Sequence, residues 1–313
     1  MKTFHTEILR VGKGHHRRID IRIARLPSHT LIDMPVFVYK GKQPGPNLLL
    51  TAGIHGDEIN GVMILRKLIT EKSLQPDKGT VIAIPLVNVY GFLQASRAMP
   101  DGKDLNRSFP GATTGSLANQ IAYILMHEII PFIDIGVDFH TGGSRISNYP
   151  QIRCVIENAR NLELAHYFAP PFILNSNLID KSFRKEAFKA GKTILVYEGG
   201  ESLRLDELSI QEGMEGVKRL MHHLGMKNYE QALPEKPGAV LRKTSWLRAK
   251  VSGLFDANIQ YGEKIRKGQI IAHITDPYGR MKTAIKSPKE GYVVGLNNMP
   301  IVNAGDALVH IGN

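Results

Sequence analysis

The sequence predicts an α/β fold, a three-layer domain on a mixed sheet, followed by a small all-β domain. Three observations predict it. The near-continuous apolar runs "NLLLTAG" from Asn47 and "TVIAIPLVN" from Thr80 read as strands buried on both faces. Between them, "EINGVMILRKLITEK" carries apolar residues at helical spacing, so the three segments form a βαβ unit. After about residue 237 no helical period remains, only short strands punctuated by Gly, Asn-Asn, Asp-Pro and Ser-Pro.

From about Ile8 to Lys40, "IDIRIARL" and "MPVFVYK" alternate apolar and polar residues, which predicts antiparallel edge strands with one wet face. Farther on, "SLANQIAYILMHEII" reads as a helix and "FIDIGVDFHTGG" as a strand ending in glycines. "TILVYEGGE" reads as another strand, and "DELSIQEGMEGVKRLMHHLG" as a helix stopped by Gly225. Alternating strands and helices to about residue 230 give the layered α/β architecture. "LPEKPG", with Pro234 and Pro237, breaks the pattern and separates a domain over 1–233 from one over 238–313.

A chain of 313 residues, 42% hydrophobic, can bury a large core. Its +11 charge comes from 40 basic residues spread along the chain, with "HHRR" the densest run. That spread argues against a nucleic-acid partner and for a solvated surface that also attracts small anions. The single cysteine, Cys154, excludes an intramolecular disulfide and fits a reducing compartment. The first residues lack a signal-peptide core, and no run approaches the ~18 apolar residues of a membrane span. The expectation is a soluble, cytoplasmic protein with no membrane partner.

The reactive side chains sit where strands end. In "GIHGDE", His55 and Glu58 are three apart at a strand-to-helix junction, a spacing that puts both on one face and lets them chelate. A catalytic zinc takes three protein ligands and leaves a position for water. "VDFHTGG" supplies the third, His140, at the end of another buried strand. Alone, His-x-x-Glu is more often a solvated pair than a ligand set; a second histidine at the carboxyl edge of the same sheet favours a site. Glu198 in "TILVYEGGE" ends a third strand, where a carboxylate suits a general base better than a surface charge, although a capping or salt-bridged glutamate is the bland alternative. "SRAMPDGKDLNRSFPG" offers Arg97 and Arg107, guanidiniums suited to a carboxylate or a developing oxyanion. Gly53 and Gly56 are expected to let the backbone pass close to the metal.

Taken in order, "GIHGDE", "DLNRSFPG", "DFHTGG" and "YEGG" resemble the succinylglutamate desuccinylase and aspartoacylase family, relatives of the zinc carboxypeptidases, over about residues 45–200. The resemblance implies a zinc-carboxypeptidase-like domain with one zinc on His55, Glu58 and His140, and Glu198 as the catalytic glutamate. It implies that Asp104 orients His55, that Asn106 and Arg107 hold the substrate carboxylate, and that Arg97 polarises the scissile carbonyl, with Arg145 as a conceivable substitute. The family also has an active-site tyrosine, for which Tyr261 and Tyr278 both stand in plausible loops. The β-domain resembles the barrel-sandwich hybrid of biotinyl and lipoyl carriers, but Lys282 in "GRMKTAI" lacks the flanking residues of a modified lysine, so the domain is expected to be unmodified and to cover the site or support a homo-oligomer.

The expected activity is a zinc-dependent amidohydrolase acting on an N-acyl amino acid or similar small anion. A carboxypeptidase acting on peptide C-termini would use the same residues, and a non-catalytic zinc-binding scaffold is the alternative from another class. His15, His16, His222 and His223 have no carboxylate at ligand spacing and read as surface features. No G-x-S-x-G elbow is present, and Cys154 reads as mid-strand, so no nucleophilic side chain competes.

Overall fold

In the computed structural model, which describes residues 4–26, 28–229 and 238–313, the alternating N-terminal segments follow a short helix α1 (Phe4–Ile8) and form β1 (His16–Arg25) and β2 (Leu31–Lys40). They pair antiparallel and bury Ile19, Ile23, Met34, Val36 and Val38. Only β1 is an edge; β2 also pairs β4 (Lys78–Ile84), which corrects the expectation of two edge strands. The four residues Phe37 to Lys40 complete that second ladder, so the outward side chains of β2 are half-covered rather than wet.

The apolar runs become the interior. β3 (Gln43–Ala52) lies parallel between β4 and β5 (Ile135–Gly142), and β5 lies parallel to β8 (Thr193–Glu201). Every residue of β5 is buried, as a strand covered on both faces requires. One face is covered by α2 (Ile59–Thr70), α5 (Ala159–Phe168) and α7 (Glu207–His223), whose Ile64, Leu68, Phe168 and Val217 pack on Leu50, Val137 and Leu195. On the other face α4 (Leu117–Ile124) and α6 (Phe183–Lys189) set Ile121, Phe183 and Ala187 against Leu49, Ile82 and Ile194. The short helix α3 (Val89–Leu93) follows β4. The result is a three-layer mixed α/β fold.

The sheet does not stop at β8. β6 (Ile146–Cys154) pairs β8 antiparallel and β7 (Phe172–Asn175) parallel, and Cys154 closes β6 rather than standing in its middle. Beyond the predicted boundary, whose residues 230–237 lie outside those described, β9 (Ala239–Leu241) pairs β7 and β10 (Thr244–Arg248) begins the β-domain. Its remaining strands are β11 (Gly253–Ala257), β12 (Lys264–Ile265), β13 (Ile270–Thr275), β14 (Lys282–Lys286), β15 (Gly291–Asn297), β16 (Ile301–Val302) and β17 (Ala307–Gly312). β15 pairs β6, so the main sheet runs β8-β6-β15-β17-β10 into the C-terminal region. A second antiparallel sheet, β14-β13-β11-β16, closes over it around Phe255, Ile265, Ile274, Val293 and Leu308. Lys282 stands exposed at the start of β14.

Candidate active site

The turn after β3 is built by two glycines. Gly53 has φ 63, which turns the chain out of the sheet, and a Cβ on Gly56 would collide with the Gly91–Phe92 backbone of α3. The second glycine therefore makes room for a helix, not for a metal as the sequence suggests. The turn delivers His55 and Glu58, with side chains 3% exposed, beneath the carboxyl end of β5, where His140 stands.

One carboxylate joins the two rings. Glu58 Oε1 lies 2.8 Å from His55 Nδ1, and Glu58 Oε2 lies 2.8 Å from His140 Nδ1. The outer nitrogens each face another acid: His140 Nε2 donates to Asp138 Oδ2 at 2.7 Å, and His55 Nε2 donates to Asp104 Oδ1 at 3.3 Å. Thr51 holds Asp138 from behind, its hydroxyl donating to Oδ1 at 2.8 Å. A carboxylate only accepts, so each ring faces acceptors at both nitrogens, an outer acid at Nε2 and Glu58 at Nδ1.

Burial lowers the pKa of both histidines, but Asp138 and Glu58 around His140 outweigh it and hold that ring well above the ordinary value. Glu58 and Asp104 do the same, more weakly, for His55. Burial alone would raise Glu58; the two imidazoles hold it below the usual carboxylate range. Asp104 is lowered likewise, His55 and Arg97 overcoming its burial.

His55, Glu58 and His140 each offer a ligand atom within 4.8 Å of the others. Two imidazole nitrogens and a carboxylate, each ring backed by an acid through its far nitrogen, suit a divalent metal such as zinc in place of the Nδ1 protons. Arg97 reaches the same point: its Nη1 lies 3.1 Å from Glu58 Oε1 and 3.1 Å from His55 Nδ1, and its Nη2 donates to Asp104 Oδ2 at 3.1 Å.

Glu198 is the register partner of His140 across β5 and β8, so the two side chains share a face. Both its oxygens are held, Oε1 by Arg153 Nη1 at 3.0 Å and Oε2 by Asn148 Nδ2 at 2.8 Å. Asn106 accepts from the Phe183 backbone N–H at 2.9 Å, which ties its loop to α6. Arg107 donates to the Asn106 carbonyl at 2.7 Å and has no carboxylate partner among the described residues.

His55, Glu58, His140, Arg97, Asn106, Arg107 and Glu198 line one cleft of about 310 Å³. Among the further lining residues that escaped sequence reasoning are Asp138, Asn148, Arg153, Arg184, Trp246 and His310. Asp138 alone had a signal, two residues before His140 on the same strand face. Neither Tyr261 nor Tyr278 lines the cleft: the Tyr261 hydroxyl donates to Asp206 at 2.9 Å, and Tyr278 is 80% exposed. Arg145 is also absent from the lining, and its backbone N–H donates to Glu201. His223 pairs with Glu163 at 3.3 Å and stacks on Tyr167, away from the cleft. Asp57 is buried beside the site with Oδ1 unpartnered, and burial followed by the Glu58 charge raises its pKa. Among the described residues no helix is long and apolar enough to cross a membrane.

A mixed sheet that collects a His-Glu-His cluster and a further glutamate at its strand ends defines a class, α/β proteins with a candidate metallohydrolase centre. Residues 44–224, more than half of the chain, match the succinylglutamate desuccinylase/aspartoacylase catalytic domain, and the chain belongs to that family of deacylases. It is 29% identical to the N-alpha-acetyl-L-2,4-diaminobutyric acid deacetylase of Halomonas elongata, over 89% of this chain and 85% of the relative. Among solved structures, a succinylglutamate desuccinylase/aspartoacylase from Rhodobacter sphaeroides superposes with a TM-score of 0.82 at 25% identity, covering 95% of both chains. The product-bound ectoine utilization protein EutE of Ruegeria pomeroyi shares the fold at TM-score 0.81 and 24% identity, over 95% of this chain and 94% of its own.

Proposed function

We propose that this protein is a zinc-dependent deacylase that cleaves the amide bond of an N-acyl amino acid or a related small carboxylate. The observation that carries the reading is Glu58 bridging two histidines, each backed by a second acid, with Glu198 on the same sheet face. A zinc ion held by His55, Glu58 and His140 would supply a Lewis acid, acidifying a water and polarising the acyl carbonyl. The chain's own groups do the rest. Glu198, positioned through both oxygens by Arg153 and Asn148, takes the proton of the attacking water and returns it to the departing amine. Arg97, whose guanidinium already faces the ligand cluster, balances charge on the carbonyl oxygen as it forms. Arg107, with the side-chain NH₂ of Asn106, anchors the substrate carboxylate.

In this reading 1–233 is the catalytic domain and 238–313 an unmodified β-domain. The deacetylase from Halomonas elongata, similar over most of both chains, supports amide hydrolysis on an acylated amino acid. The test is metal analysis combined with turnover of N-acyl amino acids beside blocked dipeptides. Wild-type protein is expected to hold one zinc and hydrolyse the N-acyl compounds, and Glu198→Gln to keep the zinc while kcat falls by about 10²–10⁴-fold. Activity in zinc-free protein, or an undiminished Glu198→Gln, rejects the mechanism; turnover of the dipeptides alone makes the protein a carboxypeptidase.

A further inference from the structure

The cleft is walled beside His140 by the turn between β5 and β6. Gly142, Gly143 and Ile146 line the cleft, and Thr141, where the turn begins, donates its N–H to Glu58 Oε2 at 3.2 Å. The turn is tight and strained. Ile146 donates its N–H to the Gly143 carbonyl at 3.0 Å, and a Cβ on Gly142 would lie 2.0 Å from the Ile146 carbonyl oxygen. Arg145 stands at φ 71, a left-handed conformation that a side chain of its kind adopts rarely and at a cost in energy. Such a residue persists only where its surroundings over-determine it.

Those surroundings come from the end of β8 and from the β-domain. Asn298, in the turn between β15 and β16, donates its backbone N–H to the Arg145 carbonyl at 2.7 Å. Its side-chain NH₂ donates to Ser147 Oγ at 2.8 Å and to Glu201 Oε2 at 2.6 Å. Glu201 closes β8 and is buried, and its other oxygen accepts the Arg145 N–H at 3.0 Å. Arg204 Nε stands 3.4 Å from Oε2. Both backbone groups of the left-handed residue are therefore tied from outside the turn: the carbonyl by the β-domain, the N–H by a carboxylate that the β-domain also grips. The ladder behind them fixes the approach, with Leu296 in register with Ser147 and Asn297 with Ile146.

We propose that Asn298, together with Glu201, is a positioning residue through which the β-domain sets the β5–β6 turn and, with it, the wall that a ligand meets beside His140. Neither residue lines the cleft, so each acts through Arg145 and the residues around it. The proposal rests on the deacylase reading for its effect on turnover but not for the clamp itself. A wall that shifts by a fraction of an ångström holds a bound molecule less well, because productive geometry tolerates little displacement. The metal ligands stand outside the clamp: His55 and Glu58 belong to the turn after β3, and His140 is held in the β5–β8 ladder.

The experiment uses the full chain and changes the clamp without changing its shape. Asn298→Asp is isosteric but replaces the NH₂ that faces Glu201 with a second carboxylate, which can only accept and which repels. Hydrogen exchange, read by mass spectrometry on peptides spanning Gly143 to Ser147, is expected to be several-fold faster in this variant than in wild type. KM for the N-acyl amino acid that wild type turns over best should rise several-fold while kcat stays within about twofold, the mark of lost binding rather than lost chemistry. Zinc affinity and the urea midpoint should stay at wild-type values, and Asn298→Ala should move exchange and KM in the same direction by less. Asn adopts the left-handed region more readily than Arg, so adding Arg145→Asn should shrink both effects of Asn298→Asp. Wild-type exchange and KM in Asn298→Asp overturn the proposal, as does a loss of zinc affinity or of the urea midpoint in step with KM, which would make Asn298 merely structural. If wild type hydrolyses no N-acyl amino acid, the deacylase reading fails, and the exchange rates alone then decide the clamp.

Discussion

The two ends of the cleft treat the same residue type in opposite ways. At one end His55 and His140 are surrounded by Glu58, Asp104 and Asp138, and their pKa values are raised despite burial. At the other end His310 is equally buried but faces Arg153, and its pKa is driven down to about 3. Burial acts in the same direction on all three, so the neighbouring charges decide the outcome. The acidic end gathers three side chains that could hold a metal ion, and His310 at the other end is kept neutral. One continuous sheet joins them, from β5 through β8, β6 and β15 to β17.

The strongest way to break the contrast is to remove an acid from behind a histidine. Asp138→Asn keeps the shape and removes the charge that faces His140 Nε2 at 2.7 Å. Zinc affinity is expected to fall by about 10–100-fold, measured by competition with a chromophoric chelator, because the ring loses both orientation and basicity. If affinity holds, the acids behind the ligands are structural and the metal end is set by Glu58 alone.

The acidic end was legible in the sequence and the neutral end was not, for a physical reason. His55 and Glu58 share a turn, and His140 and Glu198 close strands whose apolar runs are unmistakable, so local patterns expose them. Trp246 and His310, paired across β10 and β17, reach the cleft because β15 pairs β6 across more than 140 residues of chain, and no local pattern records that. β6 is itself poorly written: Pro150 argues against a strand flanked on both sides, and the structure accommodates it with a register shift between Asn148 and Gln151. That irregular stretch is what turns Asn148 toward Glu198. The layered α/β architecture was likewise legible from periodicity, whereas the continuity of the sheet into the β-domain was not.

A milder change couples the two ends. Gly295 stands between Asn148 and His310, and a Cβ there would lie 2.8 Å from Asn148 Oδ1 and 3.4 Å from His310 Cβ. Gly295→Ala is expected to cost about 1–2 kcal/mol of stability, at the low end for overpacking. It should also lower kcat several-fold, because Asn148 pushed aside no longer holds Glu198. Urea denaturation and steady-state kinetics read the two effects; lost stability with unchanged kcat would separate the β-domain from Glu198.

The smallest expected effect isolates the neutral end by pH. A histidine whose folded pKa lies below its unfolded value of about 6.5 takes up protons mainly on unfolding, so the unfolded state is favoured as the solution is acidified. The contribution of His310 is fully present above pH ~6.5 and is lost progressively as the pH falls toward 3. At pH 5.5 this should amount to about 1 kcal/mol, a shift of roughly 2 °C in Tm for a chain of this size. After burial, the charges of Arg153 and Lys289 add to the lowering. The acidic end titrates too, so the measurement compares metal-free wild type with metal-free His310→Gln and takes the difference between their pH dependences. His310→Gln should lose less stability than wild type between pH 7 and 5.5. Parallel curves would mean that His310 takes up its proton as readily in the folded protein as in the unfolded one, and the pair it forms with Trp246 would then charge on acidification.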